Sequence, residues 1–161
     1  MSAKYPRTPH LPWSPGGTPD DRRMQSAEDA AGLLDTPILV TEKLDGSNIT
    51  LLADRLFARS HAAAPVHVSF DWLKAAHAVL RHRIPAGYSV FCEYTFAVHA
   101  IQYVALPSYL WVIGIRDDAQ DFNLPWPDVE MFAAELGLPT APVLWTGCVC
   151  TIEQLRSLTN D

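Results

Sequence analysis

Ile38 and Val40 before Asp45-Gly46, and Ile49 and Leu51 after it, recur at every second position. Alternation of period two marks a strand with one buried face, and Asp-Gly between two such runs is a strong hairpin signal. The stretch from Pro37 to Leu52 therefore predicts two strands joined by a tight turn. A second turn at Ala53-Asp54 leads into a third short strand, Arg55 to Arg59, with Leu56 and Ala58 alternating. Tyr88 to Thr95 and Tyr109 to Arg116 are dense in aromatic and β-branched residues and predict buried strands, and Val143 to Cys150 predicts another.

Helical spacing appears in Phe70 to Arg83, where Leu73, Ala76, His77 and Leu80 share a face, Ser69 is placed to cap the start and Pro85 follows the end. Pro125 to Leu136 predicts a second helix stopped by Gly137 and Pro139, and Thr151 to Leu158 a short third one. Met24 to Leu34 predicts a further short helix, with Asp20 and Asp21 near its start and Gly32 and Pro37 at its end. Residues 1–23 are too rich in Pro and Gly for a long helix or a central strand and predict an extended arm packing Leu11 and Trp13. Strands and helices mix without regular βαβ alternation, which predicts an α+β domain on antiparallel sheet. The expected division is an arm over 1–23 and a single domain over 24–161.

Composition narrows the function classes. At 161 residues, 48% hydrophobic and 19% charged, the chain is long enough for one domain with a core. No apolar run approaches the ~20 residues that span a bilayer, and the N-terminus lacks the apolar stretch of a signal peptide, so no membrane role and a cytoplasmic location are expected. Cys92, Cys148 and Cys150 form no paired C-x-x-C units, and their odd number argues against a disulfide framework, so reduced and mostly buried thiols are expected rather than metal ligands. The net charge of −6 argues against binding nucleic acid by bulk electrostatics. It is unevenly placed: residues 1–83 carry +1 and residues 84–161 carry −7. A phosphate-binding surface should therefore draw on the first half.

The chemistry concentrates in Glu42-Lys43-Leu44-Asp45-Gly46-Ser47-Asn48. A lysine held just before a turn is rigidly presented, and a deprotonated lysine amine is a nucleophile able to form a covalent intermediate. Glu42 and Asp45 stand beside it, available to a base, a ribose or a metal. A further carboxylate of interest is Glu93, in an otherwise apolar strand, where burial is costly without a partner and a functional role is favoured.

These residues resemble the covalent nucleotidyltransferase superfamily of polynucleotide ligases and capping enzymes, and most closely the ATP-dependent RNA ligases. The first motif of that family, K-x-D-G-x-x, carries the lysine that accepts the nucleotide, here Lys43. Phe57-Ala58-Arg59-Ser60-His61 is similar to the next motif, whose arginine supports the ribose, here Arg59. Phe91-Cys92-Glu93-Tyr94-Thr95-Phe96-Ala97-Val98-His99-Ala100-Ile101-Gln102-Tyr103 is similar to the third, whose glutamate binds the ribose, here Glu93; Cys92 replaces a usual glycine and Val98 a common lysine. Ser108 to Asp117 is similar to the strand that stacks a ring on adenine, with Ile113 at that position. His10-Leu11-Pro12-Trp13-Ser14 resembles the arm of a bacterial and phage subgroup. The acidic strand and the Lys-x-Lys pair of the last two motifs do not occur in the 161 residues, which look like the front part of an adenylation domain.

The resemblance implies Lys43 as nucleophile and Glu42, Asp45, Gly46, Arg59, Glu93 and Ile113 as nucleotide-binding residues, with no metal ligand assigned. It implies ATP and magnesium (Mg2+) as cofactors, a lysyl-AMP intermediate, and transfer of AMP to a 5′-phosphate RNA end facing a 3′-hydroxyl, with DNA as a further possible substrate. The absent motifs leave a second reading, a shortened relative that binds nucleotides or nucleic-acid ends without catalysis. A GTP-using capping enzyme is a more distant third, disfavoured by Ser47-Asn48 and the segment near His99.

Overall fold

The computed structural model of the chain describes residues 4–15, 21–60 and 65–159. Its strands are β1 (Pro37–Thr41), β2 (Ser47–Leu51), β3 (Leu56–Ala58), β4 (Tyr88–Tyr94), β5 (Leu110–Asp117), β6 (Phe122–Asn123) and β7 (Val143–Cys148). Its α-helices are α1 (Asp71–Leu80), α2 (Trp126–Leu136) and α3 (Ile152–Ser157). The strands pair antiparallel in two sheets, one of five strands in the order β3-β2-β4-β5-β6 and one of two, β1-β7. The α+β antiparallel class is therefore the one the alternation predicts. By packing the chain forms two compact units: Lys43–Ala141 with the first residues through Tyr5, and Pro6–Glu42 with the chain from Pro142 onward.

In the first unit, Ile49, Leu51, Val90, Cys92, Tyr94, Leu110, Val112 and Ile115 from β2, β4 and β5 are buried together with Leu73 and Leu80 of α1 and Val129, Ala133 and Leu136 of α2. The helical stripe read at Leu73, Ala76, His77 and Leu80 is the face that α1 buries, with Ala76 only half-buried. His77 is tolerated there because its Nε2 lies 2.7 Å from the carbonyl of Leu52 at the β2–β3 turn. The helix is bounded by 3₁₀ turns, Val68–Phe70 before it and Arg81–Arg83 after it. Ser69 does not cap it, contrary to expectation. Its N–H donates to His67 Nδ1 at 3.2 Å, and its carbonyl accepts from the Tyr94 hydroxyl at 2.7 Å. Helix α2 ends as predicted on Gly137, left-handed at φ 73°, where a Cβ would be strained.

The second unit gathers Ala30, Val149 and Leu155 with Leu11, Trp13, Leu33 and Ile38. Trp13 is tied down by its Nε1, 2.9 Å from Thr159 Oγ1, and by the Arg156 guanidinium 5.0 Å from the ring centroid, so Leu11 and Trp13 pack as the arm reading required. The helix over Met24 to Leu34 is only a 3₁₀ segment, Glu28–Leu33. The Asp29 carboxylate accepts from the N–H groups of Gln25 and Ser26, at 2.7 and 3.0 Å, and so competes with helix propagation at the start. Asp20, expected near that start, lies outside the described residues.

Two further expectations are corrected. β1 and β2 do not form a hairpin: β1 pairs with β7, while β2 pairs with β3 and β4. Five residues separate them, among which Leu44 packs with Trp111 and Ala141 and Asp45 is bound by the backbone of Ala100 and Ile101. The cysteines also divide, Cys92 being buried with its thiol pushed well up by that burial, whereas Cys148 and Cys150 are exposed at the end of β7.

The core of the first unit makes a direct prediction. Leu73 is fully buried, so Leu73→Ala should lower unfolding stability by about 2–5 kcal/mol, while Val79→Ala on the outer face of the same helix, 69% exposed, should stay within about 0.5 kcal/mol. Urea unfolding of the two variants measures both.

Candidate functional site

The segment after Glu42 is fixed at four consecutive points. Lys43 is exposed at its head. Leu44 is buried with Trp111 and Ala141, against which Tyr103, Leu106, Ile113 and Trp126 pack. Asp45 donates its N–H to the Tyr103 hydroxyl at 2.8 Å, and its Oδ2 accepts from the N–H groups of Ala100 and Ile101 at 2.7 and 2.8 Å. Gly46 donates its N–H to Glu93 Oε1 at 3.0 Å. Ser47 Oγ lies 3.4 Å from His99 Nε2. A carboxylate accepting two backbone N–H groups favours its ionised form, and those bonds, Ile101 foremost, hold the Asp45 carboxyl below its ordinary range.

Gly46 is required by contact, not by a turn. A Cβ at this position would stand 2.4 Å from the Tyr94 carbonyl oxygen and 3.2 Å from the Thr95 Cα, both rigid backbone. The residue sits where the chain enters β2 hard against the end of β4, whose register pairs Ser47 with Tyr94 and Asn48 with Glu93.

Glu93 is the second centre. Burial pushes its carboxyl up, while the Gly46 N–H and the charges of Lys43 and His99 draw it back down. The same interactions show that Lys43, Asp45, Glu93 and His99 share one local field. Asn48, paired across from Glu93, has its Oδ1 buried with no hydrogen-bond partner. A buried acceptor without a donor, beside a half-buried carboxylate, suits a ligand that brings hydroxyl donors, such as a ribose. The nucleotide implied by the sequence therefore fits the residues present. Among the described residues no three His, Cys, Asp or Glu side chains gather as a metal site.

The structure thus brings Lys43, Asp45, Gly46 and Glu93 together, with Lys43 in the connection before β2 rather than on a strand. Glu42 lies in the other unit, exposed at the end of β1, its N–H donating to the Pro142 carbonyl at 2.8 Å. Arg59 lies exposed one residue past β3, and among the described residues no hydrogen bond or ion pair ties it to Lys43 or Glu93; His61 of the same motif lies outside the described residues. Ile113 is half-buried in the cluster around Leu44 and Trp111, and Trp111 is core as read, its Nε1 3.3 Å from Thr95 Oγ1.

Tyr5 is a residue for which the sequence carries no signal. It packs edge-on against Phe91, ring centroids 5.3 Å apart, and its hydroxyl is raised by burial and then by the charge of Glu93. An arm tyrosine 88 positions before Glu93 carries no local signal of that contact.

A model of the RNA ligase family matches residues 36–160. No curated protein matches the chain. Among solved structures, a variant of the Naegleria gruberi RNA ligase with ATP and Mn is similar at TM-score 0.60 and 13% identity, over 81% of this chain and 43% of that one. An archaeal ATP-dependent RNA ligase is similar at TM-score 0.60 and 17% identity, over 88% of this chain and 39% of that one. The chain spans about two-fifths of the length of these structures, and the likeness establishes a shared antiparallel-sheet nucleotidyltransferase fold.

Two predictions follow from the geometry of the segment. Gly46→Ala should cost about 1–3 kcal/mol in thermal or chemical unfolding, because backbone at the end of β4 must move away from the new methyl group. For Glu93, a carboxyl raised in the folded state contributes stability that is fully present below its unfolded pKa and lost as pH rises through the raised folded value. Glu93→Gln keeps an acceptor for the Gly46 N–H without the charge. The variant should therefore gain on the parent as pH rises above about 4.5 and converge with it below, as read by melting temperature across pH 3.5 to 8.

Proposed function

We propose, given that this chain belongs to the RNA ligase family, that Lys43 is the nucleotide acceptor of an ATP-dependent RNA ligase. The observation that supports this reading is the anchoring of Leu44, Asp45 and Gly46 by buried packing, Tyr103, the Ala100–Ile101 backbone and Glu93, which leaves Lys43 exposed at the head of an anchored segment. Preorganisation of that kind is what in-line attack on a phosphorus requires.

The neutral Lys43 amine attacks the α-phosphorus of ATP. The bond to the bridging oxygen breaks, pyrophosphate leaves and the amine proton passes to solvent, giving lysyl-AMP. A 5′-phosphate oxygen of RNA then attacks the same phosphorus, the P–N bond breaks, and the adenylated end is joined by a 3′-hydroxyl with release of AMP. Glu93 and Asn48 take the ribose hydroxyls in this reading, which the cross-strand pairing of the two and the unpartnered Asn48 Oδ1 support. Magnesium arriving with the triphosphate would neutralise charge on the leaving pyrophosphate, a role that one or two protein oxygens suffice to support.

Neither the acidic strand nor the Lys-x-Lys pair occurs in residues 1–161, so transition-state stabilisation should suffer more than nucleotide binding. This chain alone is expected to bind ATP but form little lysyl-AMP. A chain carrying those elements in addition is expected to label with α-labelled ATP and magnesium and to lose the label on Lys43→Ala. Label that survives Lys43→Ala would refute the nucleophile, and efficient labelling of the 161 residues would refute the weight given to the absent elements. ATP binding without any label in the longer chain would favour the non-catalytic reading.

A further inference from the structure

Alternation along the central strands divides their side chains between two faces. Val90, Cys92 and Tyr94 of β4 and Ile49 and Leu51 of β2 belong to the core with α1 and α2. Phe91 and Glu93 therefore lie on the other face, as do Thr50 and Asn48, which pair with them from β2. Gly114 pairs with Phe91 from β5. Away from the entry to β2, where Gly46 bonds Glu93, this face runs first through Glu93 and Asn48. The next row, two residues or about 7 Å back along β4, is Phe91 with Thr50 and Gly114. Tyr5 lies on that row. Its ring meets Phe91 at 5.3 Å and 68°, and a Cβ on Gly114 would stand 3.8 Å from its Cε2. Phe91 is buried, but Tyr5 is only half-buried, so the upright ring keeps part of its surface open. The Glu93 charge is felt at its hydroxyl, which places the phenol in the same field as the ribose-binding carboxylate.

We propose that Tyr5, brought from the arm, is the aromatic wall against which the nucleotide base stacks. A nucleotide has a fixed order of phosphate, ribose and base. With the phosphorus at Lys43 and the ribose hydroxyls at Glu93 and Asn48, the base extends over the next row of the face, which Tyr5 borders. This order rests on the reading of Lys43 and Glu93 given above. The strands themselves offer the base little there. Ile113, at the position where the resemblance implies a stacking ring, carries none and packs with Leu44 and Trp111, while Phe91 and Trp111 are buried. Tyr5 supplies the open ring that β4 and β5 lack, and a phenol face stacks on a purine without needing a hydrogen bond to it.

The test is a nuclear magnetic resonance titration of the full chain, its tyrosines isotope-labelled, with ATP and with ribose 5-phosphate, magnesium being withheld so that no transfer occurs. The Tyr5 ring signals, assigned by their loss in Tyr5→Phe, should move upfield in the ring current of the bound base with ATP and stay in place with ribose 5-phosphate. Tyr5→Leu keeps apolar bulk without a π face and should weaken ATP roughly 5- to 100-fold, the range of a lost base–aromatic stack. Tyr5→Phe should bind close to the parent. Gly114→Val, which sets a branched side chain against the Tyr5 ring, should weaken ATP in the same sense. Circular dichroism melts show which variants fold; should Tyr5→Leu fail to, the ring shifts of the parent and Gly114→Val decide. Ring signals indifferent to ATP, or unchanged affinity in a folded Tyr5→Leu, would overturn the wall while leaving the nucleotide site intact. Tighter ATP binding by Tyr5→Leu would also overturn it, showing that the ring occupies the place of the base. A parent chain that binds no ATP would overturn the wall together with the nucleotide-site reading beneath it, and Lys43 labelling in the longer chain is read separately.

Discussion

The approach of Gly46 to the Tyr94 carbonyl sets the geometry on which the site depends. With no Cβ to hold the chains apart, the entry to β2 lies against the end of β4, and this closeness lets the Gly46 N–H reach Glu93 Oε1. It also sets Ser47 and Asn48 in register with Tyr94 and Glu93. The remaining fixings act on the same short segment from different directions: apolar burial at Leu44, a phenol at the Asp45 N–H, and two loop N–H groups at the Asp45 carboxylate. Hydrogen bonds of this kind contribute only about 1 kcal/mol each, but converging on three residues they restrict the backbone far more than their sum suggests. The long β4–β5 connection is held by the same contacts, so the Leu44–Ser47 segment and the loop that follows Glu93 form one structural element although 55 positions separate Asp45 from Ala100.

What was legible in the sequence was the local part of this arrangement. β4 and β5 stand out because both of their faces are buried, giving dense apolar runs, and α2 and α3 because Gly137 and Thr151 mark a stop and a start with their own chemistry. Pairing was less legible. The alternation around Asp45-Gly46 reveals two strands but not their partners, and the Asp-Gly signal points to a turn where the glycine instead answers to a backbone atom 48 residues on. The exposure of Cys148 escapes for a similar reason, since among the described residues β7 pairs with β1 alone and alternation cannot tell an edge strand from a central one. Tyr5 and the orphaned Asn48 Oδ1 are visible only once distant strands are assembled.

The carboxylates of the site illustrate why burial and charge must be weighed separately. Asp45 and Glu93 are held in opposite directions, the first lowered by two backbone donors in the open, the second raised by desolvation that the Gly46 N–H and the neighbouring Lys43 and His99 offset only in part. Asp45 is thus engaged by the fold and acts as a fixed anchor. Glu93 is under-compensated, with a buried acceptor on Asn48 next to it. Under-satisfied polar groups lower stability unless something completes their hydrogen bonds, and the Asn48 Oδ1 paired across from Glu93 is such a group. The division of labour follows from this contrast. Asp45, with two backbone donors, anchors the segment from Leu44 to Ser47, while Glu93, with one, keeps acceptor capacity to spare.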